Sequence, residues 1–267
     1  MSSSYIATRL DDAILTVTID RPDVHNAFNE DVIRELTETF RTLDDRDDVR
    51  VVVLASSGTS YSAGADINWM KRMAGFSFDE NVADAAEMAL MLRAIRECGK
   101  PVIARVHGAV FGGGVGLVAA CDIAVAVKDA VFALTEVKLG ILPAMISPFV
   151  QERIGTSHLR RYAITAERFD ADEARRIGLV AEVAADAAAM DEQIAFFCKL
   201  LKKNGPEAIA KCKSVLREIQ PVEWDDATEI TTQRIAERRV SAEGQEGLHA
   251  FLEKRKPAWD PAAAETR

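Results

Sequence analysis

Residues 14–19, ILTVTI, alternate apolar and polar positions, which predicts a strand with one face in a core and one toward solvent. The loop RPDVHNAFN follows, and Asn29 stands where a helix cap is needed. Glu30 and Asp31 fill the first turn of that predicted helix, and Val32, Ile33, Leu36, Phe40 and Leu43 recur on one face. Residues 49–56, VRVVVLAS, form a nearly continuous apolar run, the pattern of a strand covered on both faces. A small-residue loop, SGTSYSAGAD, comes next, and a helical pattern runs from about Phe78 to Glu97. After GKP, residues 102–106 predict another strand, then a glycine turn and a helix through about Ala120. Further strands are predicted at 123–127 and 131–134. From about residue 148 onward the pattern is helical, with breaks at Gly155, FDA, 178–183, NGP and QPVEWD. Strand, loop and helix in repeating order predict an α/β fold built on crossover connections, with a helical second half around it. No sequence repeat of fixed period is visible.

The composition fits this picture: 267 residues, 48% hydrophobic, are enough for one large globular domain or one domain with an appendage. No apolar run approaches the roughly 18 residues of a membrane span. The start, MSSSYIATRL, has neither the charged nor the apolar region of a secretory signal, so a cytoplasmic protein is expected. Cys98, Cys121, Cys198 and Cys212 form no C-x-x-C pair and are expected as buried free thiols. A formal net charge of −9 speaks against nucleic acid as a general partner.

Candidate chemistry begins with FGGGVG, residues 111–116. A strand turning into a helix through bare backbone leaves N–H groups unpaired at the helix start, open to a phosphate or a developing oxyanion. No Gly-Lys-Ser/Thr follows, so this is not a phosphate loop. Counted from Gly112 and Gly114, the third glycine of a dinucleotide fingerprint would fall on Leu117, so that reading fails too. A second small-residue loop, SAGAD (62–66), also follows a buried strand. Two such loops converging would supply one N–H each to a single oxygen. The third element is FALTEVKLGILP (132–143), where Glu136 stands among apolar residues. Either it is a surface carboxylate paired with Lys138, or burial raises its pKa and fits it for acid–base work. His107 reads as a core polar group, Asp122 as a structural cap or ion-pair partner, and His158 has no chemical partner in the sequence.

These segments, with RPDVHNAF, YSAGAD, FGGGVGLVAACDI, LTEVKLGILP, ITAERFDADEARRIGLV and EGLHAFLEKRKPAW, resemble the crotonase (enoyl-CoA hydratase/isomerase) superfamily over most of the chain. The resemblance implies an α/β fold with a ββα spiral core over residues 1–200. It also implies a C-terminal helical trimerisation region over 201–267, and a homotrimer or dimer of trimers. Its ligand would be an acyl-CoA thioester, with coenzyme A part of the substrate and neither a separate cofactor nor a metal. By position, Ala65 and Gly113 would give the oxyanion-hole amides and Glu136 the catalytic carboxylate. His25, Ala27, Ala63, Asp66, Ile67 and Asn68 would line the path of the CoA. Phe251 and Lys254 match positions that reach the CoA of a neighbouring subunit.

One departure bears on the reaction. Hydratases of this family commonly carry a first glutamate where this chain has Gly116, and a glycine-rich PGGGGTQRL where it has PAMISPFV. A single glutamate can still hydrate a 2-enoyl thioester if it takes a proton from water and returns it to Cα on the same face. The finer motifs resemble bacterial methylglutaconyl-CoA hydratases of leucine degradation. The same single base would serve a Δ3,Δ2 isomerase, and the missing glutamate also fits a non-catalytic acyl-CoA- or RNA-binding relative, whose RNA version the acidic charge opposes.

Overall fold

The structure, a computed structural model, describes residues 4–220 and 222–266. The chain opens with a hairpin, β1 (Ile6–Asp11) against β2 (Ile14–Ile19), joined through Asp12 and Ala13 at φ 47° and 60°. Two successive positive φ values match the right-handed twist of the flanking strands. The helix α1 (Glu30–Arg41) starts where expected: the Asn29 side chain accepts from Val32 N at 3.0 Å. Strand β3 (Val51–Ser56) is buried at every position, and β4 (Ser60–Ser62) follows it. The helices α2 (Ile67–Met73) and α3 (Phe78–Glu97) come next, α3 opened by a reciprocal Ser77–Glu80 capping box. Then β5 (Val102–Val106) and β6 (Ala109–Phe111) lead into α4 (Gly113–Ala120). The strands β7 (Ile123–Val127) and β8 (Val131–Ala133) precede α5 (Ser147–Thr165), which is kinked at Gly155.

Two sheets organise these elements. The larger has the order β1-β2-β3-β5-β7-β10, where β10 is Glu182–Ala184, and is parallel from β2 onward. The smaller has the order β4-β6-β8-β9, where β9 is Phe169–Asp170. Each successive pair, β3/β4, β5/β6 and β7/β8, gives one strand to each sheet before the chain enters a helix. That is a ββα spiral, repeated in space although no repeat shows in the residues. Its consequence is positional. The parallel strands β4, β6 and β8 lie side by side, so the loops leaving Ser62, Phe111 and Ala133 emerge from the same edge.

The chain continues through α6 (Ala171–Arg176), α7 (Ala187–Lys202), α8 (Pro206–Ile219), α9 (Trp224–Val240) and α10 (Ala242–Leu252). Lys213 ties α8 to the core, its Nζ donating to Asp122 Oδ2 at 2.6 Å and Lys100 O at 2.9 Å. No residue of α9 is buried, and Trp224, Val240, Phe251 and Leu252 stand 74–87% exposed. Cys98, Cys121 and Cys198 are buried free thiols; Cys212, expected to be buried, is exposed. Among the described residues no helix is long and apolar enough to cross a membrane.

Candidate active site

The loops after β4, β6 and β8 meet at a cavity of about 400 Å³. Ala65, Gly113 and Glu136 line it, together with Phe28, Trp69, Met88, Asp84, Met145 and Ile146.

Backbone pairing explains the first loop. Phe28 N donates to Gly64 O and Asp66 N donates to Phe28 O, both at 2.7 Å, which pins the loop on either side of Ala65. The Ala65 N–H itself donates to no group among the described residues, and the half-buried residue lines the cavity. Gly64, at φ 92°, makes the turn, and a β-carbon there would stand 3.1 Å from Phe111 O. This loop therefore lies directly against the end of β6.

The second loop is fixed by its neighbour strand. Gly112 N donates to Ala133 O at 2.9 Å, and Gly112 sits at φ 51° to turn β6 into α4. Gly113 is the first residue of that helix, so its N–H has no intrahelical acceptor, and none is found elsewhere among the described residues. Apart from Gly113 every residue of α4 is buried, and the positive end of its dipole points at the cavity. A β-carbon on Gly113 would lie 2.8 Å from Phe28 Cε2 and 2.9 Å from Met88 Cε. The bare backbone lets this amide, and a ligand oxygen, come close.

Glu136 begins a single 3-10 turn, Glu136–Leu139, three residues beyond β8. Its carboxylate lies over the glycine turn: a β-carbon on Gly112 would stand 3.1 Å from Glu136 Oε1. It forms no ion pair with Lys138 among the described residues, so the surface-pair reading fails. Oε2 is buried without a hydrogen-bond partner. Burial pushes the Glu136 pKa above its ordinary value, against the opposing pull of its own N–H and that of Thr135. The arrangement is two free amides on adjoining loops with one desolvated carboxylate beside them. It can hold the oxygen of a thioester, stabilise negative charge there and move a proton at a neighbouring carbon.

The other expected residues fall as follows. Ala63 lines the cavity. His25 does not; its Nδ1 lies 3.2 Å from Ser60 Oγ, and its carbonyl accepts from Ala63 N. Ala27 is buried beside Phe28. Asp66 caps α2, accepting from Asn68 N and Trp69 N, and pairs with Arg21 at 3.0 Å. Ile67 and Asn68 are exposed on α2, outside the cavity lining. Phe251 and Lys254 stand exposed at the end of α10, also outside it. His107 is only half satisfied: Nε2 lies 3.1 Å from Gly58 O, while Nδ1 is buried without a partner. Asp122 is structural, accepting from Val102 N and paired with Lys213. Sequence reasoning did not mark Phe28, Trp69, Asp84, Met88 or Ile146. Of these, Phe28 ends RPDVHNAF and Ile146 stands in the unusual PAMISPFV, but nothing in either segment singles them out.

Comparison with known proteins identifies the family and the fold. The profile of the family described as Enoyl-CoA hydratase/isomerase matches residues 9–262. A solved enoyl-CoA hydratase from Shewanella pealeana is 39% identical with TM-score 0.92, covering 96% of both chains. A crotonyl-CoA hydratase of Syntrophomonas wolfei is 31% identical over 96% of this chain and 98% of its own. A peroxisomal Δ(3,5)-Δ(2,4)-dienoyl-CoA isomerase of Arabidopsis thaliana is 29% identical over 94% of each.

Proposed function

Because the chain belongs to the enoyl-CoA hydratase/isomerase family, we propose that it adds water across the double bond of a 2-enoyl-CoA thioester. The observation that carries this reading is the pair of unpaired amides, Ala65 and Gly113, beside the partnerless carboxylate of Glu136. The thioester oxygen accepts from both N–H groups, which take up the enolate charge as it develops. Ionised Glu136 removes a proton from water as the oxygen bonds to Cβ. It then delivers a proton to Cα, so one carboxylate serves both halves of a same-face addition. A single acid limb in the pH profile follows. With a neutral acyl chain, kcat/KM is expected to fall as pH drops through one ionisation above the ordinary glutamate range, since the base must start ionised. Two ionisations on that limb would mean a second essential carboxylate.

The likeness of the finer motifs supports methylglutaconyl-CoA of leucine degradation as the substrate, with the exposed apolar positions of α9 and α10 covered in a trimer or dimer of trimers. A distal carboxylate makes a specific demand on this cavity. No Lys or Arg lines it among the described residues, and its charged lining groups are Glu136 and Asp84. Asp84 accepts from Trp69 Nε1 at 3.0 Å, and burial raises its pKa. Asp84→Asn is therefore expected to raise kcat/KM for methylglutaconyl-CoA about fivefold, or about 1 kcal/mol for a partly screened like-charge contact. An uncharged branched thioester should change less than twofold in the same assay.

Gly116 and the single base also favour a second reading, an enoyl-CoA isomerase moving a proton between Cγ and Cα. Loss of the conjugated enoyl-thioester absorbance on a panel of straight, branched and carboxylated 2-enoyl-CoAs tests the first reading. Conversion of 3-enoyl-CoAs without any hydration would replace it with the second. No turnover of either class would leave only an acyl-CoA-binding role.

A further inference from the structure

Gly116 lies one turn along α4 from the amide donor Gly113, on the same face and roughly 4.5 Å further on. A β-carbon at Gly116 would collide with Ile146 Cγ2, lie 2.9 Å from Ile146 Cβ and stand 3.6 Å from Leu92 Cδ1. The space beside Gly116 is thus filled by a side chain from the segment before α5. Ile146 is 2% exposed and lines the same cavity as Gly113 and Glu136. Where a second carboxylate would project from α4, this chain has a packed isoleucine, and Met88 and Met145 line the same cavity.

We propose that Ile146, seated over Gly116, is a specificity-determining residue that holds an apolar second substituent on the β-carbon of the substrate. The site then favours 3,3-disubstituted 2-enoyl thioesters over 3-monosubstituted ones. This rests on the hydratase reading, and position supports it. With the thioester oxygen at Ala65 and Gly113, Cβ lies two bonds beyond the carbonyl carbon, and its substituents reach about one helical turn from the oxygen. Gly116 stands at that distance along α4, and Ile146 packs on it from the segment before α5. The substituent helps through binding and not through the chemistry of addition. One O–H bond of water breaks, its proton goes to Glu136, and the C–O bond forms at Cβ while the π electrons move to the thioester oxygen. Cα then takes the proton from Glu136. A second carbon on Cβ makes that carbon less electrophilic and more crowded, so a preference for it has to come from binding against the apolar wall at Ile146.

The test has two readouts. The first is the change, from wild type to variant, in the ratio of kcat/KM for 3-methyl-2-butenoyl-CoA to that for 2-butenoyl-CoA. That ratio should fall about fourfold in Ile146→Ala and by less in Ile146→Val. Gly116→Ala, which pushes Ile146 into the cavity, should also lower it. The second readout is calorimetric binding of the saturated 3-methylbutanoyl-CoA and butanoyl-CoA, where the extra methyl should give the wild type about fourfold tighter affinity. That preference should vanish in Ile146→Ala. A wild type binding both saturated thioesters equally, or a folded Ile146→Ala keeping the wild-type preference, would overturn the proposal. Absent turnover with the binding preference intact would overturn the hydratase reading alone.

Discussion

Glu136→Gln is expected to lower hydration about a thousandfold, within the 10²–10⁴ range of a positioned general acid–base group, while acyl-CoA affinity changes little. The amide keeps the size of the side chain but can neither take a proton from water nor return one to Cα. Among the described residues that line the cavity, the other carboxylate is Asp84, which is held by the indole N–H of Trp69. The fold should gain from the change. A carboxyl whose folded pKa is raised contributes stability in full below its unfolded pKa. That contribution is lost as pH rises through the folded value, so at neutral pH the ionised, partly unsatisfied Glu136 is a net cost. Relief of about 1 kcal/mol would raise Tm by about 2–4 °C at pH 7 in a chain of this size. A slow enzyme with a higher Tm separates lost chemistry from lost folding. Wild-type rates in this variant would remove Glu136 from the mechanism.

Gly113→Ala is the second large effect. Its β-carbon would enter contacts of 2.8 Å and 2.9 Å with the Phe28 ring and Met88 Cε. Met88 can yield at its flexible end, but Phe28 is 1% exposed in the core and its backbone pins the Ala65 loop. Relief of the clash therefore displaces one donor or the other. Misplacing one oxyanion donor costs about 2.7–4 kcal/mol of transition-state stabilisation. The expected loss in kcat is accordingly about 10²–10³-fold, with a further 1–3 kcal/mol of overpacking in stability. Steady-state kinetics beside thermal melts would read both.

The elements that could be read from the sequence are those whose burial is periodic along one segment. Alternation in ILTVTI, the Asn29 cap with its apolar face, and the covered run of β3 each follow from residues close together in the chain. Although the equally short β8 carries the apolar run Val131–Ala133, the three-residue strands β4 and β6 could not be read, because they lie inside the small-residue and glycine loops. They are strands only because Ser60–Ser62 finds Ala109–Phe111 across the small sheet. β1 was hidden for another reason: of its residues only Ile6 is buried. The loops SAGAD and FGGGVG and the side chain of Glu136 could be picked out because each follows a strand in a conspicuous small-residue or apolar setting. Within those loops, Ala65 and Gly113 are marked only by the family resemblance. What the sequence did not carry was how these loops and the flanking helices meet. Phe28 against Gly113, Asp84 against Trp69 and Ile146 over Gly116 are contacts between distant segments, set by the spiral rather than by any local pattern.

The central claim is that two peptide N–H groups and one carboxylate converge on a single thioester. A crystal structure with a bound 3-oxoacyl-CoA, whose enolate mimics the charged intermediate, tests it most directly. The thioester oxygen should lie about 2.7–3.1 Å from both Ala65 N and Gly113 N, with the Glu136 carboxylate facing the carbons beyond it. A thioester oxygen bound to neither amide, or a Glu136 turned away from the acyl chain, would contradict the account.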